Sequence, residues 1–310
     1  MLREADDGTD ISRYRSTLND MAPGVLAITG GFAIGDVGGD VDTLAIPIIN
    51  TPTGDTGTSP WVFDMNPDPP SLDLVVGKYK YLYEQGARKV ALAYLAIDQS
   101  RREANIQRSL MEAVGLQVVD VNELPISTLS YDPAARRAAQ SGADFVWSTL
   151  DTNGQASFSR AIADSGHEFP FREQSYTTYG TTFLEMAGQT ADGVQSWLRS
   201  LPTEEAGSNE AMATYVQWMD RVAPGVPQDM FSIDSWVSTK AFFEALEQLP
   251  GPITRDAVRA QLASIETFDA GGMFAPISLA REVSQGCFMG LVARGGRWER
   301  LAPASGYFCT

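Results

Sequence analysis

The sequence has few of the side chains from which catalytic and metal sites are usually built. It contains one histidine, His167, and two cysteines, Cys287 and Cys309. Their spacing matches no recognised zinc motif, so no metal site is predicted. A Ser-His-Asp arrangement would depend on His167 alone, which follows the end of a predicted helix and is more simply interpreted as an exposed loop residue.

Basic side chains and long apolar runs are also scarce. The 310 residues include 39 acidic and 23 basic side chains, which gives a formal net charge of −16. Nucleic acids and anionic membranes repel so acidic a chain, and neither is predicted as a partner. No run approaches the roughly 20 apolar residues of a transmembrane segment. Residues 1–7 lack the apolar stretch of a signal peptide, so either the protein is cytosolic or the chain begins after its targeting segment.

The motifs that bind nucleotides or activate a serine are missing as well. Gly30-Gly31-Phe32-Ala33-Ile34-Gly35 is glycine-rich, but its spacing is not G-x-G-x-x-G, and glycines continue where a helix should begin. The sequence has no G-x-x-x-x-G-K-[ST] phosphate loop and no G-x-S-x-G. It therefore predicts no cofactor and no enzyme of these classes.

Short apolar runs that alternate with longer amphipathic stretches are, in contrast, abundant. This alternation is typical of repeated βα units around a parallel sheet, and 310 residues suit two such domains. The pattern predicts strands at 24–30, 45–50, 89–95, 117–121 and 144–148, and helices at 71–86, 101–114, 132–141, 154–165, 209–222, 232–249 and 254–264. The tail from Cys287 to Leu301 predicts a β-hairpin with a glycine turn. The predicted fold class is α/β.

Small polar residues follow several of the predicted strands. They lie in the segments 30–36, 50–54, 98–100, 149–153 and 175–180. Open α/β sheets bind ligands at the carboxyl ends of their strands, where hydroxyl groups and amides can hold a carboxylate and an Asp can hold an ammonium. Each residue taken singly is better explained as a turn former or a helix cap. The set as a whole favours a ligand cleft.

Several short motifs occur in a fixed order along nearly the whole chain. They are Ala27-Ile28-Thr29-Gly30-Gly31, Leu44-Ala45-Ile46-Pro47-Ile48-Ile49-Asn50-Thr51, Gly86-Ala87-Arg88-Lys89-Val90-Ala91, Ser141-Gly142-Ala143-Asp144-Phe145-Val146, Ala191-Asp192-Gly193-Val194, Ile233-Asp234-Ser235-Trp236 and Ala275-Pro276-Ile277-Ser278-Leu279. Each motif is weak alone, and their order and spacing together are fairly specific. In that order they resemble the type I solute-binding proteins of ABC transporters, in the branched-chain amino-acid-binding group.

The resemblance implies two Rossmann-like lobes with mostly parallel sheets joined by three hinge crossings, which is the type I periplasmic binding protein fold. We expect residues 1–66 and 200–273 to form the first lobe, and 67–199 and 274–310 to form the second lobe with its C-terminal hairpin. The crossings are expected near 64–70, 197–202 and 271–276. Relatives have a strand and a helix before the segment that begins here at Asp6, so the first lobe is expected to lack its first βα unit.

The resemblance also implies a set of ligand-binding residues between the lobes. They are Ala33, Ile34, Gly35, Asn50, Thr51 and Thr53 in the first lobe, and Asp98, Asp151, Thr152, Tyr176 and Thr177 in the second. Two departures from the family affect the ligand. Phe32-Ala33-Ile34 replaces the usual serines, and Tyr176 stands where amino-acid binders often carry an acidic residue for the ammonium. A less zwitterionic or aromatic-contacting solute is therefore an alternative to an α-amino acid.

The two cysteines fit the same family. Cys287 opens the predicted hairpin and Cys309 ends it, so their strands can lie close enough for a disulfide. From the residues alone, a disulfide and two inert thiols are about equally good interpretations. An extracytoplasmic protein, which the resemblance implies, favours the disulfide.

The function implied by the resemblance is that of a non-enzymatic receptor outside the cytoplasm. It would capture a small polar solute (an amino acid, an amide or a related organic acid) and deliver it to the permease subunits of an ABC transporter. The protein would need no cofactor and would act as a monomer, in the periplasm or lipid-anchored at the cell surface. Two alternatives stay open: a ligand-sensing module of the same fold, and a cytosolic α/β enzyme.

Overall fold

The computed structural model describes residues 2–8, 10–31, 38–50, 59–65, 76–280, 283–284 and 286–309. The chain forms two units, each made of two segments. Unit 1 comprises Met1–Pro70 and Phe231–Ser284, and unit 2 comprises Ser71–Met230 and Gln285–Thr310. The chain therefore passes three times from one unit to the other.

Unit 1 contains a short parallel sheet. Its strands are β1 (Ile28–Thr29), β2 (Ile48–Asn50) and β3 (Val62–Asp64), in that order across the sheet. Helix α1 (Ile11–Met21) precedes the sheet, and helix α2 (Gly38–Leu44) connects β1 to β2. Leu18 of α1, Val41 of α2 and the strand residues Ile48 and Val62 are buried in one apolar cluster. Both helices therefore cover this sheet.

The second segment of unit 1 is hydrogen-bonded to the first. It contains α9 (Met230–Glu247), which begins at the crossing, α10 (Arg255–Leu262), and the antiparallel pair β9 (Ile277–Ser278) and β10 (Val283–Ser284). On α9, the Ser235 hydroxyl donates to the Gly30 carbonyl at 2.9 Å, and the Ser238 Oγ accepts from the Gly30 N–H at 3.1 Å. At the start of α10, the Arg255 guanidinium donates to the carbonyls of Ala22, Val25 and Leu44.

Unit 2 is built on a seven-stranded, mostly parallel sheet. Its strands are β4 (Lys89–Leu95), β5 (Gln117–Leu124), β6 (Phe145–Thr149), β7 (Phe171–Gln174), β8 (Val194–Leu198), β11 (Met289–Arg294) and β12 (Arg297–Ala302). They lie in the order β12-β11-β8-β7-β6-β4-β5. The strands β4 to β8 are parallel, and the β11–β12 hairpin adds to β8 in the antiparallel direction.

Helices cover both faces of this sheet. The helices of unit 2 are α3 (Gly77–Glu84), α4 (Asp98–Ala113), α5 (Asp132–Gln140), α6 (Thr152–Asp164), α7 (Thr181–Ala187) and α8 (Glu210–Val222), and the first four of them pack on the sheet. Successive side chains of a strand point to opposite faces. Val90 and Leu92 are accordingly buried with residues of α3 and α4, whereas Ala91 and Ala93 are buried with residues of α5 and α6. The predicted α/β class with mostly parallel sheets is confirmed.

Residues 200–230 group with unit 2, whereas we expected 200–273 in the first lobe. The hydrogen bonds of this segment explain the grouping. The Thr203 N–H donates to the Tyr179 hydroxyl oxygen at 2.6 Å, and the Arg300 guanidinium on β12 donates to both carboxylate oxygens of Glu205 at 2.6 Å. The passages between the units fall at 70–71, 230–231 and 284–285, and Trp197, expected at the second crossing, lies within β8.

Cys287 and Cys309 form a disulfide, as predicted, with their Cα atoms 4.2 Å apart. The neighbouring residues Phe288 and Phe308 exchange two backbone hydrogen bonds of 2.8 and 2.7 Å. The Phe308 ring lies 5.8 Å from the Tyr81 ring and 6.3 Å from the Trp197 ring, measured between centroids. The disulfide thus holds the end of the chain against the aromatic core of unit 2. Within the described ranges, no helix is both long enough and apolar enough to cross a bilayer.

Candidate functional site

The predicted ligand-binding residues of unit 2 follow the carboxyl ends of three neighbouring parallel strands. The strands β7, β6 and β4 lie side by side in the sheet. Asp98 follows β4, Asp151 and Thr152 follow β6, and Tyr176 and Thr177 follow β7. Because parallel strands end at the same edge of a sheet, the fold brings these three loops to one edge.

Thr152 and Thr177 lie together at this edge. Thr152 is the first residue of α6, and Thr177 lies in a 3₁₀ turn formed by Tyr176–Thr178. The Thr152 hydroxyl oxygen is 3.5 Å from the Thr177 carbonyl oxygen, which permits at most a weak hydrogen bond. Both side chains are half-buried, and both line a cavity of about 130 Å³.

The cavity wall is rich in hydroxyl groups and includes one carboxylate. The lining residues are Thr152, Thr177, Thr178, Tyr179, Gly180, Thr182, Phe183 and Asp229, all of unit 2. Sequence reasoning identified Thr152 and Thr177 as site residues but missed Thr182, Phe183 and Asp229. Thr182 and Phe183 lie in α7, and Asp229 immediately precedes α9. None of these three residues follows a predicted strand, so no sequence pattern indicated them.

Tyr179 contributes a neutral wall to the cavity. Burial, followed by the nearby Glu204 carboxylate, raises the pKa of the Tyr179 phenol well above its ordinary value. The phenol is therefore protonated at neutral pH. Its hydroxyl donates to Glu204 Oε2 at 3.0 Å and accepts from the Thr203 N–H at 2.6 Å. Both hydrogen bonds of the Tyr179 hydroxyl are therefore made with residues of unit 2.

The two predicted aspartates have partners in the protein. Asp151 Oδ1 accepts from the Gly154 N–H at 2.6 Å and caps the N-terminus of α6. Asp98 lies in the first turn of α4, with its side chain 99% exposed and paired to Arg101 at 2.7 Å. A helix cap and a surface ion pair account for both carboxylates. Tyr176 is half-buried at the start of its 3₁₀ turn and is not one of the residues that line the cavity.

In unit 1, Asn50 ends the central strand of the three-stranded sheet. Its side chain is 1% exposed, and neither Oδ1 nor Nδ2 has a hydrogen-bond partner. Gly31 lies beside it, since a Cβ atom built on Gly31 would be 3.7 Å from Asn50 Nδ2. The other predicted residues of the first lobe, Ala33, Ile34, Gly35, Thr51 and Thr53, lie outside the described residues.

The described residues contain no group of three or more His, Cys, Asp or Glu side chains placed to hold a metal ion. His167 lies in a loop and packs against the Phe169 ring with a centroid distance of 4.5 Å. The cavity of unit 2 offers hydroxyl groups and a carboxylate, and the strand end of unit 1 offers an amide. These are groups that can bind a polar molecule.

A family model described as periplasmic binding protein matches residues 2–289. The chain belongs to the periplasmic binding protein family. This membership confirms the resemblance and supports a solute-binding role for the protein. No curated protein matches its sequence.

Solved structures share the fold of this periplasmic binding protein at low sequence identity. One is a fatty acid ABC transporter substrate-binding protein from Thermomonospora curvata, with a TM-score of 0.80 and 16% identity over 99% of this chain and 80% of that chain. Another is a branched-chain amino acid ABC transporter protein from Thermus thermophilus with bound valine, with a TM-score of 0.77 and 17% identity over 98% and 84% of the two chains. A leucine-binding protein from Thermotoga maritima has a TM-score of 0.76 and 13% identity over 96% and 85%.

Proposed function

We propose that this protein is the solute-binding component of an ABC transporter and works outside the cytoplasm. It captures a small polar solute and delivers it to the permease subunits. Membership of the periplasmic binding protein family supports this role, and so do the names of the solved structures that share its fold. The proposal treats the protein as a receptor and assigns it no catalytic residue.

The observation that carries the proposal is the buried amide of Asn50. A polar group that is buried without a hydrogen-bond partner destabilises a fold by about 1–3 kcal/mol. Asn50 has two such atoms, Oδ1 and Nδ2, at the carboxyl end of a parallel strand. Ligands of open α/β sheets bind at such strand ends. A solute that both donates to Oδ1 and accepts from Nδ2 would satisfy the amide, so the unpaired amide is explained by solute binding.

The cavity of unit 2 supports the same role from its own residues. Its volume of about 130 Å³ is well below the roughly 300–1,000 Å³ of pockets that enclose a drug-sized ligand. It therefore suits one functional group of a small solute. The Thr152 hydroxyl, which makes at most a weak contact with the Thr177 carbonyl, is available to such a group.

The test compares two buried asparagines that differ in their partners. Asn122 is 3% exposed, and its Nδ2 donates to Asp120 Oδ2 at 2.5 Å, whereas the amide of Asn50 has no partner. Solutes would be screened by thermal shift with a panel of amino acids, amides and organic acids, and hits would be measured by calorimetry. Bound solute raises the Tm because it binds only the folded state.

Asn50→Leu should abolish binding of the best solute and leave the unliganded protein as stable as before or more stable, because it removes an unsatisfied group. Asn122→Leu should lower stability and leave affinity unchanged. Asp151→Asn, which keeps an oxygen for the α6 cap, should also leave affinity unchanged. Normal solute binding by Asn50→Leu, or a panel in which nothing raises the Tm, would contradict the proposed role.

A further inference from the structure

The side-chain amide of Asn50 offers a hydrogen-bond acceptor and an adjacent donor. Within the described part of the chain, neither Oδ1 nor Nδ2 of this 1% exposed side chain has a partner, whereas its backbone carbonyl accepts from the Met65 N–H at 2.8 Å. Gln174 of β7 differs, since its Nε2 donates to the Ser159 hydroxyl oxygen at 2.8 Å and only its Oε1 is unpaired. Either orientation of the Asn50 amide presents the same donor–acceptor pair.

The neighbouring strand β1 is followed by two glycines close to this amide. Gly30 is held in place because its N–H donates to the Ile49 carbonyl oxygen at 3.2 Å and to Ser238 Oγ at 3.1 Å. A Cβ atom built on Gly31 would lie 3.7 Å from Asn50 Nδ2 and 3.9 Å from Asn50 Cβ, which are ordinary contact distances. Gly31 thus allows close approach to Nδ2, and a methyl group added there would cover part of it.

We propose that Asn50 and Gly31 form a subsite for a neutral carboxamide group of the solute and that Asn50 sets this specificity. The inference rests on the proposed function and names the class of solute. A primary carboxamide carries N–H donors and a carbonyl acceptor in one plane, as the asparagine side chain does. Its N–H donates to Oδ1 while its carbonyl accepts from Nδ2, so one group satisfies both buried atoms. Gly31, which has no side chain, lets that carbonyl reach Nδ2.

Charged groups match this amide less well. A carboxylate only accepts hydrogen bonds and would leave Asn50 Oδ1 unpaired, whereas an ammonium only donates them and would leave Nδ2 unpaired. A buried polar atom without a partner is unfavourable. Either ion would also lose hydration beside a neutral amide, which offers no opposite charge to offset that loss. A site that hydrogen-bonds both halves of a group rejects analogues that lack one half, so the carboxamide binds more tightly than either ion.

The experiment uses three small probes of nearly equal size: propionamide, propionate and propylammonium. Each is titrated into the full chain, and binding is followed in ¹H–¹⁵N NMR spectra at the side-chain NH₂ of Asn50 and at the backbone amide of Gly31. Propionamide should shift both signals saturably. It should bind at least about tenfold more tightly than either ion, a difference of ~1.4 kcal/mol.

Two variants test the two residues separately. Asn50→Asp keeps the shape of the side chain but has no donor at neutral pH, so it should lose the preference for propionamide. Gly31→Ala should weaken propionamide binding because its methyl group covers part of Nδ2. The matched controls are Asn105→Asp on the exposed face of α4 and Gly39→Ala in α2, where a built Cβ meets nothing within 4 Å. Both controls should bind propionamide as the wild type does.

Three outcomes would overturn the inference. They are binding of propionate or propylammonium as tight as that of propionamide in the wild type, Asn50 and Gly31 signals that propionamide does not shift, and an unchanged propionamide affinity in either test variant. The first two need no variant, so they hold even where a variant does not fold. The result is also separable from the solute panel. Solutes that bind through Asn50 without a carboxamide preference would leave the proposed function intact and remove only this inference.

Discussion

Replacing Lys78 by methionine should destabilise unit 2 by about 3–5 kcal/mol, because it leaves the carboxylate of Glu173 buried without its cation. Lys78 Nζ lies 2.7 Å from Glu173 Oε1, and the two side chains are only 9% and 3% exposed. At this distance and an effective dielectric constant of about 20, the attraction is ~6 kcal/mol. Desolvation of both ions offsets most of that attraction, so the pair as a whole contributes little net stability.

The double variant Lys78→Met/Glu173→Leu separates these two effects. Because it removes both buried charges, its free energy of unfolding should lie within about 1 kcal/mol of the wild type or above it. Arg108→Met is the matched control, since Arg108 pairs with Glu112 at 2.8 Å on the surface of α4, with both side chains 48% exposed. Surface pairs of this spacing contribute about 0.3–0.5 kcal/mol.

The assay is urea unfolding at pH 7, followed by tryptophan fluorescence and circular dichroism. Two results would refute the reasoning. One is a loss below about 1 kcal/mol in Lys78→Met, which would mean that water reaches Glu173. The other is a double variant that is less stable than Lys78→Met alone, which would mean that packing, and not the unpaired charge, causes the loss.

The pair also predicts how stability depends on pH. Burial raises the pKa of Glu173 above its ordinary value of 4.5, and the Lys78 ammonium opposes this shift in part. The folded protein then binds a proton more tightly than the unfolded chain. Protonation of Glu173 therefore stabilises the folded state. This stabilisation is fully present below pH 4.5 and is lost as the pH rises through the higher pKa of the folded state. Glu173→Gln should remove this slope, and the defect of Lys78→Met should shrink in acid because the carboxyl becomes neutral. An unchanged slope in Glu173→Gln would assign it to another group.

Two further predictions concern other parts of the chain. Replacing Cys287 and Cys309 by serine should lower the free energy of unfolding by about 3 kcal/mol, as expected for cross-linked residues 22 apart. Mass spectrometry of the wild type should show two added hydrogens only after reduction. Free thiols before reduction would contradict the disulfide. Arg255→Met should destabilise unit 1 by about 2 kcal/mol or more, because the guanidinium donates to the carbonyls of Ala22, Val25 and Leu44. Arg255→Lys should not restore stability, because an ammonium lacks the planar fork of a guanidinium. Rescue by lysine in urea unfolding would show that the positive charge alone suffices.

The fold was predictable where local pattern and tertiary role agree. The strand at Lys89–Leu95 was predicted at its observed bounds, because both of its faces are buried and its residues are mostly apolar. The strand β7 was missed since three of its four residues, Arg172, Glu173 and Gln174, are polar. Glu173 is paired to Lys78, and Gln174 donates to the Ser159 hydroxyl oxygen at 2.8 Å. These partners are distant in sequence, so no local pattern could indicate that polar residues are buried in this strand.

The residues of the candidate site also differ in whether the sequence could predict them. Thr152 was predictable because it follows the predicted strand at 144–148, and strand ends of a parallel sheet meet at one edge. Thr177 follows the missed strand β7, so its assignment came from the family resemblance. Asp229 was not predictable, since it precedes a helix and reaches the cavity through its contact with Gly180. The loops after strands are specified by the order of elements, whereas the close approach of a glycine and a distant aspartate depends on how α7 and the segment before α9 pack.

Asp151 and Asp229 illustrate why residue type alone could not assign the acidic group of the site. Asp151 satisfies every sequence criterion for a ligand contact, yet those criteria also describe a helix N-cap, and its carboxylate accepts the Gly154 N–H at 2.6 Å. A carboxylate engaged in this way can leave the cap only at a cost of about 1 kcal/mol in stability. Asp229 satisfies none of the sequence criteria but lines the cavity with the hydroxyl residues. The carboxylate that lines the cavity therefore belongs to a residue that the motif does not include.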